Sequence, residues 1–174
     1  MQAATFWKTV TMDQVDLLDR ALGVLRESGV PFCIIGGQAV NAYVDPVVSL
    51  DLDVALATGE PERVAALFPP PIEARRYPHS INLSAPGSDL RVQLQTDPRY
   101  QPFPARAEVR DVLGHELPVA RLEDVLQGKV WAAADETRRP SKRQKDLADI
   151  ARLLEAFPEL RGSVPAAILD RLIG

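Results

Sequence analysis

The run Cys33-Ile34-Ile35-Gly36-Gly37-Gln38-Ala39-Val40-Asn41, followed shortly by Ser49-Leu50-Asp51-Leu52-Asp53-Val54, constrains this chain more than any other stretch. An apolar strand breaks at two adjacent glycines and resumes as a helix. Paired glycines admit left-handed backbone angles and let an anion approach the N–H groups with no Cβ in the way. In the second segment alternate residues share a face. Ser49, Asp51 and Asp53 project to one side, and Leu50, Leu52 and Val54 to the other, into a core. Two carboxylates on a rigid strand beside a phosphate-sized notch make a candidate site for Mg²⁺ and a nucleoside triphosphate. Mg²⁺ takes one or two protein carboxylates and completes its octahedron with water and substrate phosphates.

The flanking sequence supplies a scaffold for that stretch. Thr11-Met12-Asp13-Gln14 reads as a capping box. Val15, Leu18, Leu22 and Leu25 then recur at helical spacing, and Gly29 ends the helix. A short helix over Gln38–Tyr43 stops at Asp45-Pro46. Thr58-Gly59-Glu60-Pro61 turns into a helix over Glu62–Phe68, closed by Pro69-Pro70-Pro71. Strand character follows at Ile72–Tyr77, Ser80–Leu83 and Leu90–Gln95. The last of these puts Leu90, Val92 and Leu94 on one face and Arg91, Gln93 and Gln95 on the other. Val109–Leu113 and Leu117–Ala120 read as two strands around Gly114-His115. After Ala120 the pattern is helical: Leu122–Asp135, then Lys142–Phe157 capped by Ser141 with Gln144, then Val164–Leu172. These elements predict an α+β fold, with a mixed α/β core over 1–120 and a helical part over 121–174 packing on it.

Composition narrows the function classes. A net charge of −4 over 174 residues gives no overall attraction to nucleic acid, so an anion site must be local. The single cysteine, Cys33, lies in an apolar run and reads as a small buried hydrophobe, and one chain with one cysteine builds no internal disulfide. No apolar run is long enough to span a bilayer, which points to a cytoplasmic protein with no membrane partner. His79 and His115 lack partners at metal-ligand spacing and read as loop residues. Trp7 and Trp131 read as packing anchors.

Strand, Gly-Gly, helix, thirteen intervening residues, then apolar-Asp-apolar-Asp-apolar resembles the signature of the nucleotidyltransferase superfamily. The later segment Leu122-Glu123-Asp124…Lys129…Arg143-Gln144-Lys145-Asp146-Leu147-Ala148-Asp149-Ile150 is similar to the helical half of AbiEii/AbiGii-type minimal nucleotidyltransferases, which include toxins of type IV toxin–antitoxin systems. The resemblance implies a nucleotidyltransferase fold. It also implies transfer of a nucleoside monophosphate from an NTP to an RNA, such as a tRNA 3′ end, or to a protein hydroxyl, with pyrophosphate released. Asp51 and Asp53 would bind Mg²⁺. Gly36, Gly37, Ser49, Lys129 and Arg143 would contact the nucleotide, and Lys129 and Asp146 would join the two strand acids in catalysis. An antitoxin protein is an implied partner.

The residues depart from the pattern in two places. Relatives often carry a third carboxylate on a later strand; Leu90–Gln95 offers Gln93 and Gln95 there, with Asp89 and Asp97 at its ends. An amide takes no proton and is a poor Mg²⁺ ligand beside a carboxylate. Relatives also often place an Arg before the Asp-x-Asp, where Pro46, Val47 and Val48 stand here. Either the site is degenerate, and the protein binds a nucleotide or partner without chemistry, or the later helices supply what is missing. Lys129 sits on an apolar stripe and must be paired or reach for the surface. Asp146 is either a site carboxylate or a surface acid in the first turn of its helix. Asp149 reads as the i+4 surface partner of Lys145. Arg138, Arg139, Lys142, Arg143 and Lys145 form a local anion-attracting patch open to a triphosphate or an RNA backbone.

Overall fold

The structure is a computed structural model that describes residues 5, 6, 9 and 16–173. The Thr11–Gln14 cap, Val15 and Trp7 lie outside the described residues. Helix α1 (Leu17–Glu27) leads to β1 (Phe32–Ile35), α2 (Gly36–Asn41) and β2 (Asp51–Leu56). There follow α3 (Pro61–Ala65), β3 (Glu73–Tyr77), β4 (Ser80–Ser84) and β5 (Arg91–Gln95). Two short 3-10 turns, Pro98–Tyr100 and Phe103–Arg106, connect to the hairpin β6 (Glu108–Val112) and β7 (His115–Val119). Helices α4 (Leu122–Ala134), α5 (Pro140–Ala156) and α6 (Ala166–Leu169) complete the α+β order expected from the sequence. Among the described residues no helix is long and apolar enough to cross a membrane.

The strands form one mixed sheet in the order β3-β4-β5-β2-β1-β7-β6. β2 lies near its centre, antiparallel to β1 and parallel to β5. Alternation along β2 buries Leu52 and Val54 completely and leaves Asp51 and Asp53 only partly covered. β5 repeats the pattern with Val92 and Leu94 inside. Each such apolar side chain contributes about 1.5–3 kcal/mol on burial, which fixes the register and so fixes which face the acids occupy. Cys33 is fully buried in β1, and burial pushes its thiol up to about 12, so it stays a protonated core residue.

The local differences from the sequence reading have plain causes. Helix α5 begins at Pro140, which occupies its first turn, so Ser141 and Gln144 lie inside the helix and form no cap. The β6–β7 turn is Leu113-Gly114, both with positive φ, which pairs Val112 with His115 and puts His115 in a strand. The C-terminal helix, expected over Val164–Leu172, shortens to α6, with Pro165 at its N-cap.

Candidate active site

The antiparallel register of β1 and β2 sets Ile35 opposite Asp53, so the chain leaves β1 and enters Gly36 beside that carboxylate. Gly36 has φ +69°, and a Cβ there would lie 2.9 Å from the Asp53 carboxyl carbon. Only glycine satisfies both conditions. Asp53 itself has no hydrogen-bond or ion-pair partner among the described residues. Burial first, and then the neighbouring Asp51 charge, push its carboxyl up to about 6, while Lys129, Lys142 and Arg138 pull the other way. Three cations from the C-terminal helices and the segment joining them therefore look toward one strand acid.

Asp51 takes a different environment on the same sheet face. Its parallel neighbour on β5 is Arg91, whose Nε donates to Asp51 Oδ1 at 2.8 Å. Lys142 Nζ stands 3.9 Å from Oδ2. Ser49 is buried; its Oγ accepts from the Asp51 N–H at 3.4 Å and lies 3.7 Å from where a Gly37 Cβ would be. Gln38 donates to the Ser49 carbonyl at 2.9 Å and thereby ties the start of α2 to the loop before β2.

Lys129 resolves the question of a lysine on an apolar stripe: it is buried and doubly paired. Its Nζ lies 3.1 Å from Asp146 Oδ1 and 2.8 Å from Asp149 Oδ2. Burial works against its charge, but the Asp149 and Asp146 carboxylates outweigh it and hold its pKa above the ordinary lysine value. Asp146 also accepts from Arg138 Nε at 2.7 Å. Asp149 accepts from Arg152 at 2.9 Å, and Arg152 donates in turn to Asn41 and to the Asp45 carbonyl. Asp149 is thus not the surface partner of Lys145. Helix α5 turns that position inward, where it links Lys129 to the loop between α2 and β2.

These groups border a cleft of about 130 Å³ lined in part by Gly36, Asp53, Gln93, Lys129, Arg138 and Asp146. Tyr100 closes one wall, hydrogen-bonded to the Gly128 carbonyl at 3.3 Å; a Cβ on Gly128 would press on the Tyr100 ring at 3.1 Å. Trp131 packs with Tyr100 and Phe103, as an anchor should. Asp51, Ser49 and Gly37 do not line this cleft, although Asp51 shares the sheet face of Asp53 and Gly37 follows Gly36 in α2. Arg143 turns elsewhere, its Nε donating to the Ala133 carbonyl at 3.4 Å. Asp97 is clasped by Arg99 and Asp89 is exposed, so neither supplies a third acid to this cleft. Gln93 lies directly beside Asp53 in the β2–β5 register.

Among the described residues no cluster of three or more His, Cys, Asp or Glu side chains is placed to hold a metal. The donor set is two adjacent carboxylates, one of them unpaired. That fits a hard divalent cation such as Mg²⁺, which completes its shell on substrate phosphates, and does not fit an all-protein cage.

Three features here escaped the sequence reading. His79, in the β3–β4 turn, rims the cleft. Arg91 reaches Asp51, and Arg152 braces Asp149. Strand alternation had put Arg91 on the correct face, but nothing local gave its register against Asp51.

A family profile described as "Nucleotidyl transferase AbiEii toxin, Type IV TA system" matches residues 23–173. No curated protein matches the chain at a significant level. Among solved structures, ANT(2″)-Ia in complex with adenylyl-2″-tobramycin is similar with a TM-score of 0.61 at 16% identity, covering 91% of this chain and 98% of that one. An antigenic nucleotidyltransferase-like protein from Paracoccidioides brasiliensis is similar with a TM-score of 0.51 at 17% identity, covering 94% and 95%. At these identities the likeness is one of fold.

Proposed function

The chain belongs to the AbiEii nucleotidyltransferase family, and on that premise we propose that it transfers a nucleoside monophosphate from an NTP to an RNA, such as a tRNA 3′ end, or to a protein hydroxyl. The observation that carries this reading is the meeting of Gly36 and Asp53 with Lys129 and Asp146 in one cleft. Residues from the two halves of the sequence meet there, and the cations offset a dense group of acids.

Asp51 and Asp53 are the carboxylates that would hold Mg²⁺, which when bound neutralises charge developing on the phosphates. Gly37, where a Cβ would meet only Ser49 at 3.7 Å and beyond, leaves room for a phosphate oxygen close to the main chain. The Ser49 hydroxyl sits one step away. Lys129 presents a fixed positive charge, kept charged by Asp146 and Asp149, to the phosphate whose charge grows in the transition state. Asp146 acts through Lys129 and Arg138 by holding both at the cleft wall. The acceptor oxygen forms a bond to the α-phosphorus, the bond from that phosphorus to the β-bridging oxygen breaks, and pyrophosphate leaves with the electron pair. The acceptor proton passes to solvent, since Gln93 takes none.

A second reading, a nucleotide- or partner-binding protein without chemistry, draws on Gln93 standing where a third carboxylate would serve. The family description supports a toxin role with an antitoxin partner, and an NTP-consuming reaction suits the cytoplasm. The test is label transfer from each α-labelled NTP to total RNA and to protein, with Asp53→Ala as control. Transfer by the parent chain and none by the variant supports the enzyme. Saturable Mg·NTP binding with no transfer to either pool supports the second reading.

A further inference from the structure

Arg91 lies on the polar face of β5, two residues before Gln93, and its guanidinium is engaged only at Nε, by Asp51 at 2.8 Å. The side chain is 50% exposed. Its two terminal nitrogens have no partner among the described residues. Lys142 of α5 approaches the other Asp51 oxygen at 3.9 Å. A half-exposed ion pair of this kind adds little to stability, too little to explain two cations converging on one acid.

We propose that Arg91, with Lys142 at the same acid, grips the β- and γ-phosphates of the NTP and the pyrophosphate formed from them. The inference rests on the proposed nucleotidyl transfer for its substrate. The chemistry is that of a planar fork, pre-oriented by Asp51 through Nε, offering its two remaining nitrogens to phosphate oxygens. Lys142 adds a point charge at the other oxygen of the same carboxylate. Asp51 is then shared: it aligns the fork on one side and serves as a metal carboxylate on the other. The α-phosphate lies toward Asp53 and Lys129, and the leaving group toward Asp51, Arg91 and Lys142. The neighbouring strand thereby supplies, through sheet register, a cation beside the strand acids.

Calorimetric binding of pyrophosphate in the presence of Mg²⁺ tests this on the full chain, with Arg91→Ala, Arg91→Lys and Lys142→Ala beside the parent. Binding of the nucleoside monophosphate is the internal control. The expected result is at least a tenfold loss of pyrophosphate affinity in Arg91→Ala, partial recovery in Arg91→Lys and a smaller loss in Lys142→Ala, with monophosphate binding changed less than twofold. Equal pyrophosphate binding by the parent and Arg91→Ala would overturn the assignment, as would no pyrophosphate binding by the parent. A parent chain that binds pyrophosphate through Arg91 yet transfers no label refutes nucleotidyl transfer and leaves the phosphate grip standing.

Discussion

Gly36 and Asp53 leave no space between them for a methyl group: a Cβ on the glycine would stand 2.9 Å from the aspartate's carboxyl carbon, at a φ of +69°. The diglycine turn and the acidic strand are therefore one unit, in which the turn's shape sets the carboxylate's position. Gly36→Ala should cost about 1–3 kcal/mol of stability from the left-handed backbone alone. It should lower Mg·NTP affinity more than tenfold by displacing Asp53. Denaturant unfolding and a nucleotide titration check the two parts separately.

The raised pKa of Asp53 makes a signed prediction. Folding lifts this carboxyl from an ordinary 3.8 to about 6, so the metal-free folded chain holds an extra proton between those values. The stability carried by that proton is complete below about pH 4 and is lost as pH rises through about 6. Asp53→Asn, which cannot ionise, should be more stable than the parent above pH 6 by about 1–3 kcal/mol and equal to it below pH 4. Thermal melts in chelator across that range read the difference.

Cation binding must displace the same proton. Mg·NTP affinity of the parent should rise with pH up to about 6 and level off above it. A titration series from pH 5 to pH 8 reads it, and an affinity flat across that range contradicts Asp53 as a ligand.

Lys129 is placed between two buried acids, so its removal takes one cation from each and leaves Asp146 to Arg138 and Asp149 to Arg152. Lys129→Met should destabilise the chain by about 3–5 kcal/mol. Adding Asp149→Asn should recover part of that loss, since the buried negative charge left in excess by the lysine's removal is reduced. Denaturant unfolding of the two single variants and the double variant gives the coupling. Asp146→Asn should lower both stability and activity, because Asp146 is buried and holds Lys129 and Arg138 at the cleft wall.

Gln93 pairs with Asp53 across the β2–β5 register. Gln93→Glu places a third acid next to the first two and should tighten Mn²⁺ binding several-fold. A metal titration that fails to distinguish the variant from the parent would contradict that placement.

Much of this site could be read from local pattern. The glycines follow an apolar strand, and period-two alternation alone sets Asp51 and Asp53 on one face. Lys129 was identifiable as anomalous from its helical stripe. Its partners were not, because Asp146 and Asp149 come 17 and 20 residues later and meet it only when α4 and α5 pack. Asp149 was misread for the same reason. An acid four residues after Lys145 is a good surface pair in an isolated helix, yet packing turned that position inward, where Lys129 and Arg152 satisfy it. Tyr100 and Phe103 stand in a proline-interrupted loop with no periodicity to mark them as a wall. Arg91 needed the strand register, which sequence alternation does not supply.

The central claim is that this cleft moves a nucleoside monophosphate with loss of pyrophosphate, and the position of the label on the NTP tests it most directly. With Mg²⁺ and total RNA or protein as acceptor, label at the α-phosphate should become bound to the acceptor, while label at the γ-phosphate should appear as free pyrophosphate. Asp53→Ala should do neither. Label retained from the γ-position, or α-label transfer equal in the parent and Asp53→Ala, would contradict the account.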